Sequence, residues 1–249
     1  MNWRTKKRIK ITLFFVLIIL IFVLFLALII KEKPSCFDGI QNQGELGVDC
    51  GGPCPPCRIF ELKEPKIELI KKFDFRGVLD ILIVVLNQNY DYGLLDFKVK
   101  IKIKKENVVL LEKEKKVFIN PGQRKYIIFE NLPLKYINYD LDIETERGDW
   151  IRPKISPDKV EIDFQNVKLT KDENFYILSG NVLNKRNLAL NNVKIFGLLL
   201  SDYDEILNIN SFNLGSLGPL EVKEFKILFK IQPTPHSKFK LIPDVNLFY

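Results

Sequence analysis

The sequence predicts an all-β protein carried behind one N-terminal transmembrane helix. A small disulfide loop follows the helix, and two tandem β-sandwiches of immunoglobulin-like length follow the loop. Three observations predict this. Residues 11–30 are apolar but for Thr12, and all four cysteines fall within residues 36–57. Beyond residue 65 the apolar residues alternate with polar ones in many places, and Gly, Pro, Asn and Asp clusters interrupt them about every ten residues, the spacing of short strands and not of helices.

The N-terminal run, "ITLFFVLIILIFVLFLALII", matches the roughly 20 residues that cross a hydrocarbon core as a helix. A cleaved signal would carry a shorter apolar region and small residues at its end, whereas this run closes on "LIIKEKPSC". Arg4, Lys6, Lys7, Arg8 and Lys10 precede it, and Lys31 and Lys33 follow with Glu32 between them. The excess of basic side chains belongs on the cytoplasmic side. Residues 1–10 are therefore read as a cytoplasmic basic flank, 11–31 as a single-pass anchor in the cell membrane, with the bilayer contacted through residues 11–30, and the remainder as extracellular. The charge follows the same division. Of the net +7, five charges sit in residues 1–10 and a net one in 31–33, which leaves about +1 for residues 34–249. The basic balance thus belongs to the anchor and gives no reason to expect nucleic acid as a partner.

Outside the membrane four thiols are expected to oxidise. Residues 34–58 form the cysteine-rich loop, with the spacing C-x13-C-x3-C-x2-C over Cys36, Cys50, Cys54 and Cys57. Zinc would ask for two knuckles of C-x2-C type, and only Cys54 and Cys57 make one, with Pro55 and Pro56 offering no N–H to a thiolate. A redox reading of "CPPC" would need a βαβ setting that the flanking sequence lacks. Three pairings are open. Those joining Cys54 to Cys50 or Cys57 close very small rings, and Cys36–Cys54 with Cys50–Cys57 avoids both. Asp38, Asn42, Glu45 and Asp49 on this glycine-rich loop are candidate oxygen ligands for calcium, the one cofactor in view; the competing reading makes them turn formers and caps. The stretch resembles a cysteine motif, C-x-D-G-I-x-N-x-x-E-x-G-x-D-C-G-G-x-C-x-x-C, that recurs in secreted and surface-attached prokaryotic proteins. The resemblance implies an extracellular disulfide knot with no activity attached.

After a spacer at 58–66 the strands begin. "FKVKIKIK" (97–104) alternates cleanly, whereas "VLDILIVVLN" (78–87) is a continuous apolar run of the kind that a strand covered on both faces shows. "VLNQNYDYGLLDFKVKIKIKKEN" from Val85 returns as "VLNKRNLALNNVKIFGLLLSDYDE" from Val182, 97 residues on. A turn then follows in each, "NPGQ" (120–123) and "LGPLE" (217–221), and an alternating strand closes each copy. The repeat predicts two sandwiches, 65–148 and 158–249 with a C-terminal tail, divided at "ERGDWIRPKISPDK" (146–159). These features look like the water-stress/late-embryogenesis type-2 family, and the second copy is also similar to the FxLYD-type domain of prokaryotic surface proteins, although Phe196 is followed by "GLLLSD". The resemblance covers about 65–145 and 160–232. It implies immunoglobulin/fibronectin-like folds without catalytic residues.

A search for chemistry finds little. His236 is the one histidine, and no G-x-S-x-G, phosphate loop or H-E-x-x-H is present. Asp140, Asp142 and Glu144 alternate as a solvated strand face, and Trp150 is expected to pack the domain boundary. The expected function is a membrane-anchored scaffold, adhesion or binding module without catalytic activity, whose partner is a protein or surface polymer. The alternative is an accessory subunit of a cell-envelope complex for secretion, a pilus or the wall. The row Lys98, Lys100, Lys102, Lys104 could attract a polyanion. A three-residue turn at 105–107 would instead set Lys100 opposite Glu112 and Lys98 opposite Glu114, cancelling much of that field.

Overall fold

The computed structural model describes residues 3–29, 35–36, 38–75, 77–134, 139–172, 175–229 and 238–249. Lys31, Lys33 and His236, and the side chain of Lys6, lie outside the described set. The chain resolves into two compact units, Met1–Glu61 and Leu62–Tyr249.

In the first unit, α1 (Trp3–Ile29) runs unbroken through the apolar stretch. From Ile11 to Val23 every large apolar side chain on it is exposed, with no apolar side favoured over another. Among the described residues no helix is long and apolar enough to cross a membrane. The described side chains end at Val23, so the anchor expected over 11–31 gains no support from the structure itself. Among its described residues the cysteine loop has no sheet beyond a single bridge between Gly47 and Cys50, and it closes on a 3-10 turn, Cys57–Glu61.

The second unit is all-β and sandwich-like. Its first half comprises β1 (Lys66–Phe75), β2 (Val78–Leu86), β3 (Gly93–Lys105), β4 (Val108–Ile119), β5 (Arg124–Leu132), β6 (Asp140–Arg147) and the two-residue β7 (Trp150–Ile151). Its second half comprises β8 (Ile162–Asp172), β9 (Phe175–Asn184), β10 (Leu190–Leu200), β11 (Ile206–Leu217), β12 (Val222–Phe229) and β13 (Lys238–Asp244). The sheets run β1-β2-β5 and β4-β3-β6 in the first half, with β7 added to β3, and the second half repeats them as β8-β9-β12 and β11-β10-β13. Corresponding strands begin 96 to 98 residues apart. The internal repeat seen in the sequence is therefore a repeat of topology.

One buried asparagine organises the same corner of each half. Asn87 Nδ2 donates to the carbonyls of Tyr92 and Asn120, and Asn184 Nδ2 donates to those of Leu188 and Gly218. Each thus ties the loop after its strand to the turn that opens β5 or β12. Both side chains are fully buried, where an amide needs such partners.

Within the second half, Val182 on β9, Ile195 and Leu199 on β10 and Phe225 and Phe229 on β12 share one core, so the two sheets pack face to face. A further cluster joins the halves: Leu82 and Val84 on β2 and Ile128 on β5 meet Phe196, Leu198 and Leu200 on β10. Alternation then turns Ile81, Ile83 and Val85 to the opposite side of β2, where they too are fully buried. The layers stack as β4-β3-β6, β1-β2-β5, β11-β10-β13 and β8-β9-β12. The middle two are covered on both faces, and this is why 78–86 and 193–200 read as nearly continuous apolar runs.

The β3–β4 hairpin departs from the expected register. Its turn is the two residues Glu106 and Asn107, with φ of 49° and 66°, as a tight hairpin turn requires. A register shift follows between the pairs Lys104/Val109 and Ile103/Leu111, leaving Leu110 as an extra residue. Lys100 therefore stands opposite Glu114 and Lys102 opposite Glu112, while Lys98 meets Lys116. The net slip from the expected pairing is two residues, so every lysine keeps its face.

Candidate functional site

The cysteine loop is held by two disulfides. Cys36 is joined to Cys54 across a Cα separation of 5.5 Å and Cys50 to Cys57 across 4.7 Å, with no free thiol. Cys36, Glu45 and Cys54 bring ligand-type atoms within 4.8 Å of one another, but the two sulfurs are bonded to each other and neither is a thiolate. Glu45 Oε1 lies 3.0 Å from Cys54 Sγ.

The candidate calcium ligands serve the loop's own backbone. Asp49 accepts from the N–H groups of Asp38 and Gly39; Asp38 accepts from Ser35, Ile40 and Asn42 Nδ2; Glu45 accepts from Asn42 and Asp49. Asn42 Nδ2 and the Ser35 and Ile40 N–H groups hold the Asp38 carboxyl below the ordinary aspartate range. In a loop without a core, these contacts take the place of sheet hydrogen bonds. The paired glycines of "DCGG" are required sterically. At Gly52, with φ of 59°, a Cβ would stand 2.2 Å from the Gly44 carbonyl oxygen. Of the basic flank, Arg4, Lys7, Arg8 and Lys10 lie exposed on the first turns of α1.

On the outer sheet of the first half, the lysine row is neutralised from both sides. Lys98 pairs with Glu146 at 2.7 Å, Lys100 with Glu112 at 3.1 Å, Lys102 with Glu144 and Lys104 with Asp142. Lys116, which faces Lys98, pairs instead with Asp96 at 2.7 Å. The carboxylates of β6 were legible as a solvated face. That they face the lysines follows from strand order, which places β6 beside β3. The hydrogen bonds that Lys98, Lys100 and Lys104 donate to Glu146, Glu112 and Asp142 hold their ammonium groups above the ordinary lysine value.

A polar cleft of about 260 Å³ lies between the halves of the second unit. β4 and β5 supply Lys115, Lys116, Phe118, Lys125 and Tyr126, and the second half supplies Asn192, Lys194, Phe196, Ser211, Asn213 and Asp244. Lys125 Nζ lies 2.7 Å from Asp244 Oδ2, and both side chains are almost wholly buried. Gln123 Nε2 donates to the other oxygen of Asp244 at 2.7 Å, and the Phe118 ring lies over Lys125 Nζ. Burial pushes Lys125 down to about 8 against the pull of Asp244. Lys115 donates to the Ile128 carbonyl; burial lowers it, Glu130 opposes that shift, and Lys194 adds to it. Burial raises the Tyr126 phenol. Apart from Phe196, none of these residues was singled out in the sequence, because they come from segments up to about 130 residues apart. The local signal was a lysine at an apolar position of "RKYIIFE" and an aspartate inside "LIPDVNLFY".

Comparison with known proteins adds little. No protein-family model matches the sequence, and no curated protein matches it. Among solved structures the crystal structure of red sea bream transglutaminase is similar at a TM-score of 0.25 and 10% identity, over 72% of this chain and 29% of that one. The chain thus spans less than a third of that enzyme's length, and a likeness of this degree carries no argument.

Proposed function

We propose that the protein is a single-pass envelope protein whose α1 is the anchor and whose disulfide loop and paired sandwiches stand outside the cell as a non-catalytic binding or scaffold module. The sandwiches are of the immunoglobulin/fibronectin-like kind, and the partner is a protein or a surface polymer. The observation that carries the reading is the pair of disulfides directly behind the apolar run, since such bonds persist in oxidising compartments. The basic flank adds support. Arg4, Lys7, Arg8 and Lys10 crowd the N-terminal end of α1, where the helix dipole disfavours cations, so their position serves something other than helix stability.

Protease added to intact cells tests the topology. The soluble portion should be digested and a short anchor fragment spared. A fully protected chain, or one recovered without membrane, would overturn the proposal.

A further inference from the structure

The two halves of the second unit can be aligned residue by residue where β3 and β10 meet β6 and β13. Both β3 and β10 carry a register shift at the same place, between Leu94 and Phe97 and between Leu190 and Val193. Lys98 stands opposite Glu146, and Lys194 stands opposite Asp244. Lys194 is therefore the counterpart of Lys98, and Asp244 that of Glu146.

The counterparts differ in one decisive way. Lys98 holds Glu146 at 2.7 Å, but Asp244 has turned to Lys125 and Gln123 of the other half. Lys194 is left with no carboxylate partner among the described residues, its ammonium 5.8 Å from the Phe196 ring centroid. It faces the cleft beside Lys115, whose ammonium donates to a carbonyl, feels the charge of Glu130, and has no ion pair within 4 Å among the described residues. Four lysines and two carboxylates line the cleft, and Asp96, outside it, answers Lys116. One positive charge remains over.

Around that charge the lining changes character. Asn213 is the cross-strand neighbour of Lys194 and Ser211 that of Phe196, so amide, hydroxyl and ring lie in adjacent pairs on one surface. Tyr126 packs on Phe196 from the opposite wall, with ring centroids 5.8 Å apart. The volume of about 260 Å³ holds roughly nine waters at ~30 Å³ each, the scale of one sugar ring and short of most drug-sized pockets.

We propose that this cleft binds an acidic sugar, its single carboxylate held by Lys194 and Lys115 and its hydroxyls by Asn213, Ser211 and Asn192. The charge left over matches one carboxylate, and the polar side chains can both donate to and accept from ring hydroxyls. The inference deepens the binding-module reading, from which it takes only that a surface polymer supplies the sugar.

The test uses the full chain in detergent, with saturation-transfer difference NMR and calorimetric titration of glucuronate. Glucuronate should bind, and glucose at equal concentration should bind at least tenfold more weakly. Lys194→Gln should weaken glucuronate at least tenfold with the melting temperature unchanged, and Asn213→Ala should weaken it less. Lys98→Gln, the same change in the other half, should leave binding unaltered. Binding of glucose as strong as glucuronate, or an unaffected Lys194→Gln, would overturn the site. Acetate or inorganic phosphate displacing glucuronate at equal concentration would overturn the sugar assignment and leave only an oxyanion contact. Because the assay needs no membrane orientation, its failure is distinct from a failure of the proposed topology.

Discussion

The two halves of the β unit share a strand order but expose opposite sheets. In the first half the sheet built on β3 faces water and the one built on β2 is enclosed. In the second half the sheet built on β10, the counterpart of β3, is enclosed, and the one built on β9 is outermost. At equivalent outward positions Lys100, Lys102 and Lys104 become Phe196, Leu198 and Leu200. The topology is indifferent to which sheet is inside; the residues on one face of one strand decide it. A lysine row met by carboxylates closes a stack against solvent, and an apolar row at the same positions invites another sheet.

The strongest way to break this relation is to move a residue between the halves. Leu198→Lys copies Lys102 into β10, where the side chain is almost wholly buried. It removes a core leucine and adds an unpaired ammonium, so unfolding free energy in urea should fall by about 5 kcal/mol or more. A loss of less than a third of that would mean that the halves part easily.

Next in size is the ion pair that crosses the junction. Asp244→Ala strands Lys125 in a buried site and should cost about 3–5 kcal/mol, while Lys125→Met with Asp244→Leu together should recover most of it. If the double variant is no better than the single one, the burial of Lys125 is not the source of the cost.

A pH series sharpens the same point. With Lys125 near 8 in the folded protein and about 10.4 when unfolded, the unfolded chain binds more protons between those values. Stability relative to the double variant should therefore rise as pH goes from 8 to 10.5, with Asp244 and Lys194 the charges facing the group. A flat difference across that window would contradict the burial. The raised Lys98, Lys100 and Lys104 act with the opposite sign, and only as pH passes above the unfolded lysine value.

The smallest effect is expected at the other member of the comparison. Glu146→Ala removes the counterpart of Asp244 from an open surface, and the urea midpoint should stay where it was. A shift as large as that of Asp244→Ala would mean that exposure does not separate the two sites.

Much of the fold could be read from local pattern. The run 78–87 was legible as a strand covered on both faces, but what covers it was not, because the second sheet is contributed by residues more than a hundred positions away. The alternation of β3 fixed which lysines share a face. The turn length and the extra residue Leu110 were hidden, since a leucine carries no signal for a bulge. In the cysteine loop the acids were visible and their role was ambiguous, because a carboxylate that caps a backbone and one that binds a cation are the same residue in a sequence. The cleft left almost no trace, as each of its charges makes sense only beside one from another strand.

Residues 245–248 tie the first half to the second. Asn120 donates to the Val245 carbonyl and accepts from Leu247 N–H, Lys154 and Ile155 donate to the Leu247 carbonyl, and Phe248 comes so close to Gly93 that a Cβ there would stand 2.7 Å from its ring. These contacts cover one end of the first half with residues that follow every strand of the second half in the chain. Strands β1 to β7 therefore leave one end of their half uncovered without residues 245–248. The two halves are thereby interdependent: a chain cut short before Asp244 loses the buried partner of Lys125 and the cap on the first half together.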